Sequence, residues 1–157
     1  DNSKPNIFIS DIETIDSIVK LTKKKYKIIY FFSDRCHSVV ETFPTLVKFI
    51  NENSDKIELL PIIGHKNKEI PHFLEYLEKN KYFKPIYLLN MEKYGTKKNP
   101  FKRIDQLTQA LCKECDYKKM GFSSFFVIDD NNIVLHNNWN VIGLDKINQL
   151  KQLIIDE

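Results

Sequence analysis

Between Lys27 and Pro44 the chain reads KIIYFFSDRCHSVVETFP, an apolar run that stops at a short polar loop holding a cysteine and then resumes with a different period. No other stretch constrains the fold as tightly. Lys27–Phe32 is too short for a typical helix and is rich in β-branched and aromatic residues, so it predicts a strand buried on both faces. From Val39 the spacing changes. Val39, Val40, Phe43, Val47 and Ile50 recur at helical intervals and predict an amphipathic helix, with Ser33 or Ser38 as its N-cap. Cys36 is thereby placed at a strand-to-helix junction, where backbone N–H groups and the helix dipole stabilise a thiolate, the reactive form of the side chain.

The flanking sequence supplies more elements of both kinds. Asn6–Ile9 predicts a short strand, followed by Ser10 as an N-cap with Glu13 as its capping-box partner. Ile12, Ile15, Val19 and Thr22 mark the inner face of the helix that ensues, and Lys23, Lys24 and Lys25 place positive charge at its end. Ile57–Ile63 predicts a second buried strand, with Pro61 pushing its latter half toward an edge or bulge. A turn over 64–68 leads to a helix with Ile70, Phe73, Leu74 and Leu77 facing inward, and Pro85–Leu89 is another strand. Residues 90–103 are polar, hold Gly95 and Pro100, and predict a loop insertion. Ile104, Leu107, Leu111 and Cys115 line a further helix. Phe122–Asp129 predicts a strand that turns through Asp130, Asn131 and Asn132 into Ile133–His136, and a last helix from Leu144 points Ile147, Leu150 and Ile154 inward.

These residues carry a resemblance. A buried strand, Cys36 at the head of the next helix, Phe43-Pro44 with the proline eight residues beyond the cysteine, and Gly121 leading into FSSFFVID together resemble the thioredoxin superfamily, its TlpA and ResA-like members above all. The resemblance covers nearly the whole chain in element order. It implies an α/β thioredoxin-like fold, a central mixed sheet flanked by helices, as one domain over residues 1–157 with the insertion at 90–103 before the late helix. It also implies that Pro44 kinks its helix by removing one internal hydrogen bond. Two departures fall on the active-site loops. Val39 stands where the family's Cys-x-x-Cys has its second, resolving cysteine, and Ser123 stands where the family has a cis-proline. A non-proline cis bond costs about 2.5–4 kcal/mol, so the peptide before Ser123 is expected to be trans.

A chemical reading follows from Cys36 and its neighbours. The positive groups His37 and Arg35 favour a thiolate, so Cys36 and His37 are the expected catalytic pair of a monothiol thiol-disulfide exchange, a partner thiol completing the cycle. Protein thiols or disulfides are the expected partners. The alternative is a redox-inactive module on the same scaffold that holds a peptide segment in the active-site groove. A third reading is peroxide reduction, with Cys36 oxidised to a sulfenic acid and resolved by Cys112 or Cys115. The strand around Tyr30 offers no buried acid to accept a proton.

Cys112-Lys113-Glu114-Cys115 has Cys-x-x-Cys spacing but falls late in a predicted helix. In an oxidising compartment it reads as a local disulfide clipping the helix end, in a reducing one as two semi-buried thiols, and more sharply as a displaced resolving pair for Cys36. Zinc needs four ligands, and His37, His65, His72 and His136 are scattered, so no metal and no cofactor is expected. Four isolated glycines exclude a phosphate-cradling loop, and no Gly-x-Ser-x-Gly occurs. Asp129, Asp130, Asn131 and Asn132 read as a hairpin turn before a calcium site, and Tyr87, Phe101, Tyr117 and Trp139 as packing. A net charge of +3, with lysines scattered among acids, gives no nucleic-acid footprint. The basic residues are nearly all lysine, with only Arg35 and Arg103 besides, a bias of an AT-rich genome. No run approaches the roughly 18 apolar residues of a membrane helix. The polar opening Asp1–Pro5 lacks an initiator Met and a signal-peptide pattern, which reads as a mature exported form, periplasmic or of the cell envelope, with the cytoplasm as the alternative.

Overall fold

A computed structural model of the chain describes residues 4–65, 69–95, 100–116, 121–137, 141 and 143–155. Six strands, β1 (Asn6–Ser10), β2 (Tyr26–Phe31), β3 (Ile57–Ile63), β4 (Pro85–Leu89), β5 (Phe125–Ile128) and β6 (Val134–Asn137), form one sheet in the order β1-β4-β3-β2-β5-β6. The first four are mutually parallel, whereas β5 runs antiparallel to β2 and β6 antiparallel to β5. Among the described residues six helices accompany them: α1 (Ile12–Leu21), α2 (His37–Glu52), α3 (Ile70–Lys79), α4 (Met91–Tyr94), α5 (Phe101–Leu111) and α6 (Asp145–Ile155). The sheet is mixed, as expected.

β2 is buried along its whole length. Its side chains alternate between two cores, as the period of a strand requires. Ile28, Tyr30 and Phe32 enter a core covered by α2, α3 and α6, whereas Ile29 and Phe31 enter another covered by α1 and α5. On α2 the buried side is Val39, Phe43, Leu46, Val47 and Ile50, and Pro44 lies inside the helix. Val40, expected on that side, is exposed, because one residue of helix rotates it about 100° away from Val39.

Other local expectations also need correction. Ser10 does not cap α1; it is the last residue of β1, paired with Leu89, and its hydroxyl donates to the Phe8 carbonyl at 3.2 Å. Asp11 takes the N-cap position without a side-chain cap bond, and the Ile12 N–H donates instead to the Tyr94 hydroxyl at 2.7 Å. Pro61 does not mark an edge, since β3 lies between β2 and β4; the ladder to β4 runs through Ile62 and Ile63, past the proline. The segment 90–103 is more than a loop. It contains α4 and the start of α5, and α4 docks on the beginning of α1 through Asn90 and Lys93, which both donate to the Asp11 carboxylate.

Arg103, 1% exposed, fastens the same segment to the end of β3. Its Nε donates to the Gly64 carbonyl at 2.8 Å, its Nη2 donates to the same oxygen, and its Nη1 donates to the Gly95 carbonyl at 2.8 Å. At Gly64 a Cβ would stand 3.0 Å from the Pro100 carbonyl oxygen, a close approach that favours glycine. The predicted strand at 122–129 is shorter, confined to Phe125–Ile128. Residues 66–68 of the turn after β3, Tyr117 and Trp139 lie outside the described residues.

Candidate functional site

Cys36 is the N-cap of α2, half-buried, and a free thiol. Its backbone N–H donates to the Ser33 carbonyl at 3.1 Å, and its carbonyl accepts from the Val40 N–H at 3.0 Å, closing the first turn. Neither Ser33 nor Ser38 caps the helix. Ser33 closes the turn before it with its carbonyl, and Ser38, one residue inside the helix, directs its hydroxyl elsewhere. His37 is exposed in the first turn, and Arg35, also exposed, pairs with Glu69 at 3.2 Å.

β2 runs toward Cys36 while β5 runs away from it, so the turn that enters β5 meets the start of α2. Ser123 lies in that turn, 1% exposed, with φ at +71°, and no cis peptide occurs among the described residues. Its N–H donates to the Phe31 carbonyl at 2.7 Å, extending the antiparallel ladder by one bond. Its Oγ lies 2.6 Å from the Ser38 Oγ and accepts from the Lys146 Nζ at 2.7 Å. Lys146, in the first turn of α6, is only 7% exposed. Burial lowers its affinity for a proton, and the neighbouring Cys36 raises it.

A second polar group gathers on the other flank. Asp34, whose side chain is 1% exposed, follows β2 and holds the Nδ1 of the half-exposed His72 through Oδ2, while Oδ1 is buried and without a hydrogen-bond partner among the described residues. β2 itself holds no acid, and this one lies just past its end. His65 lies between the rings of Phe73 and Phe122, at 5.3 and 4.9 Å, with Nε2 3.5 Å from the Ser33 Oγ; burial depresses its pKa. Burial and then Asp34 push the Tyr76 hydroxyl up to about 12. Tyr30, wholly buried, is held neutral chiefly by burial, and its hydroxyl lies 3.5 Å from the Thr42 Oγ1. Lys146, Asp34 and His65 carry no periodic signal, and charged residues are usually solvated, so the sequence alone does not single them out.

Cys112 and Cys115 lie after α5 and not within it: Cys112 is its C-cap. They are bonded to each other, S–S 2.01 Å, and pack in the core beneath α1 and α5. Cys36 packs against the core on the opposite face of the sheet, so the three sulfurs are not brought together. A cleft of about 500 Å³ lined by Cys112, Cys115, Asn132 and Leu135 accompanies the disulfide, away from Cys36. At the hairpin turn Asp129 Oδ1 accepts from the N–H groups of Asn131 and Ile133 at 2.9 and 2.8 Å, which engages that oxygen locally. Tyr87 stacks on Phe8 and Phe101 on Phe122. Among the described residues no His, Cys, Asp and Glu group is arranged to hold a metal ion, and no helix is long and apolar enough to cross a membrane.

Solved structures with this architecture are thioredoxin-like. A thioredoxin-like protein studied in its oxidised form superposes with a TM-score of 0.62 at 15% identity, over 92% of this chain and 83% of that one. The thioredoxin domain of a thiol-disulfide oxidoreductase from Bacteroides vulgatus gives 0.58 at 16% identity, over 83% and 80%. A thiol:disulfide interchange protein from Chlorobium tepidum gives 0.54 at 20% identity, over 74% and 70%. No family model matches the sequence, and no curated protein matches it. The chain has the thioredoxin-like fold.

Proposed function

On that fold, we propose that Cys36 performs monothiol thiol–disulfide exchange with protein partners. The observation that supports it is a free, half-exposed thiol at the N-cap of α2. The Cys36 thiolate attacks one sulfur of a partner disulfide; a new S–S bond forms, the old one breaks, and the other partner sulfur leaves as a thiolate. A thiol from a second molecule then attacks the mixed disulfide and frees Cys36, because Val39 supplies no internal one. His37 and the helix dipole are the activating groups. The Cys112–Cys115 disulfide supports residence in an oxidising compartment, in line with an exported protein. One domain over residues 1–157 is the organisation this reading assumes.

Wild-type protein is expected to be trapped as a mixed disulfide with an insulin-type substrate, and Cys36→Ser to abolish the adduct. Val39→Cys, three residues on along the same helix face, is expected to convert the trap into turnover. An adduct that survives Cys36→Ser refutes the assignment. Failure of wild type to form any adduct would favour the second reading, a redox-inactive module holding a peptide beside Ser123. That reading draws on the fully buried Val39 in the resolving position. Peroxide reduction with Cys112 or Cys115 as resolver has the opposite placement of those sulfurs against it.

A further inference from the structure

Lys146 is a buried cation whose ammonium donates to a neutral hydroxyl, that of Ser123. A charged ammonium has three donors and no acceptor, so Ser123 Oγ must accept from it. The Ser123 Oγ also lies 2.6 Å from the Oγ of Ser38, in the first turn of α2, the turn that Cys36 caps. A buried ammonium on α6 is thereby tied through the β5 turn to the start of α2.

We propose that Lys146, tied to the start of α2 through Ser123 and Ser38, is a positioning residue that brings positive potential to the Cys36 thiolate. The proposal rests on the monothiol reading for its purpose. Cys36 raises the proton affinity that burial lowers at Lys146, which agrees with the two groups lying within electrostatic reach of each other. The elements packed here contribute few other charges. On α2 they are Cys36 itself, the exposed His37, and Glu41, whose Oε1 is 3.5 Å from where a Gly143 Cβ would stand; on β2 there is the neutral Tyr30; on α6 the exposed Asp145. Among the described residues of the β5 turn, the polar side chains buried here are the hydroxyls of Ser123 and Ser124.

The test is the pH profile of iodoacetamide alkylation at Cys36 in the full chain, read by mass, with Cys112 and Cys115 left in their disulfide. Lys146→Met is expected to slow alkylation at pH 7 about five- to tenfold, the scale of a nearby charge on a thiol, and to move the profile to higher pH without lowering its limiting rate. Lys146→Arg is expected to restore most of the rate, which a packing role alone would not predict. Ser123→Ala is expected to shift the profile the same way by less. If Lys146→Met does not fold, Ser123→Ala and Ser38→Ala carry the comparison. Profiles that superimpose on wild type overturn the proposal. Loss of disulfide exchange in the wild type would end the monothiol reading alone, since the difference between profiles stays measurable.

Discussion

Arg103→Met keeps a long unbranched side chain and removes the guanidinium, which isolates what the clamp between Gly64 and Gly95 contributes. Three N–H donors of this fully buried residue serve two carbonyls. Hydrogen bonds from charged groups contribute about 1.5–3 kcal/mol each, and the cost of burying the cation offsets part of that sum. The Gly64 carbonyl is left buried and without this partner, which costs about 1–3 kcal/mol, whereas Gly95 is exposed and water can replace the guanidinium there. For a chain of this length each kcal/mol moves the midpoint of thermal unfolding by about 2–4 °C, so the expected fall is roughly 2–12 °C. Thermal unfolding followed by circular dichroism measures the fall, and equilibrium urea unfolding the free energy. Arg103→Lys keeps the charge but cannot present two N–H groups to the Gly64 oxygen, and it is expected to recover less than half of the loss. A loss below about 1 kcal/mol for Arg103→Met would refute the reasoning, because it would mean that water replaces the guanidinium at both carbonyls. The clamp also bears on the site, since Gly64 carries His65, whose ring packs on Phe122 beside Ser123.

Burial holds the His65 pKa below 6.5, so its neutral form belongs to the folded state. Its contribution to stability is full above about pH 6.5 and is lost as pH falls toward the depressed value, because the unfolded chain takes up the proton first. Urea midpoints at pH 7.5 and 5 should therefore differ more for wild type than for His65→Phe, and equal differences would count against this. Replacing Cys112 and Cys115 with serine is expected to cost about 2 kcal/mol, the loop-closure value for so short a ring, and reductant should cost wild type the same amount while leaving the variant unchanged. Ser123→Pro is expected to lose at least about 2 kcal/mol and to gain no exchange activity. The observed φ of +71° and the N–H bond to Phe31 are both denied to proline. Stability equal to wild type would show that the turn rebuilds freely.

Much of this architecture can be read from local pattern. Lys27–Phe32 declares itself as a short, unbroken run of apolar β-branched and aromatic residues and the Val39–Ile50 face through period 3.6, and Cys36 between them follows without any tertiary information. Ser10 misleads because a serine followed by glutamate looks the same at the end of a strand as at the start of a helix; only the pairing of β1 with β4 decides it. Pro61 misleads for a related reason, since a strand can be inner in the sheet and still be paired with one neighbour over only part of its length, here beyond the proline at Ile62 and Ile63. The polar half of the site lies further out of reach. Lys146 and Ser123 are 23 residues apart, and Asp34 and His72 are 38 apart. Such pairs are defined by long-range closure, and no periodicity records them.

Closure of that kind has a consequence in time. The Ser38 to Ser123 contact spans 85 residues, all of which must be translated before it can form. At about 5–20 residues per second, the cysteine leaves the ribosome roughly 4–17 s ahead of the turn that flanks it. Throughout that interval the nascent sulfur meets its surroundings without the hydroxyls and the lysine of the finished protein. The order of synthesis thus leaves this thiol without its finished surroundings for longer the more slowly the chain is elongated.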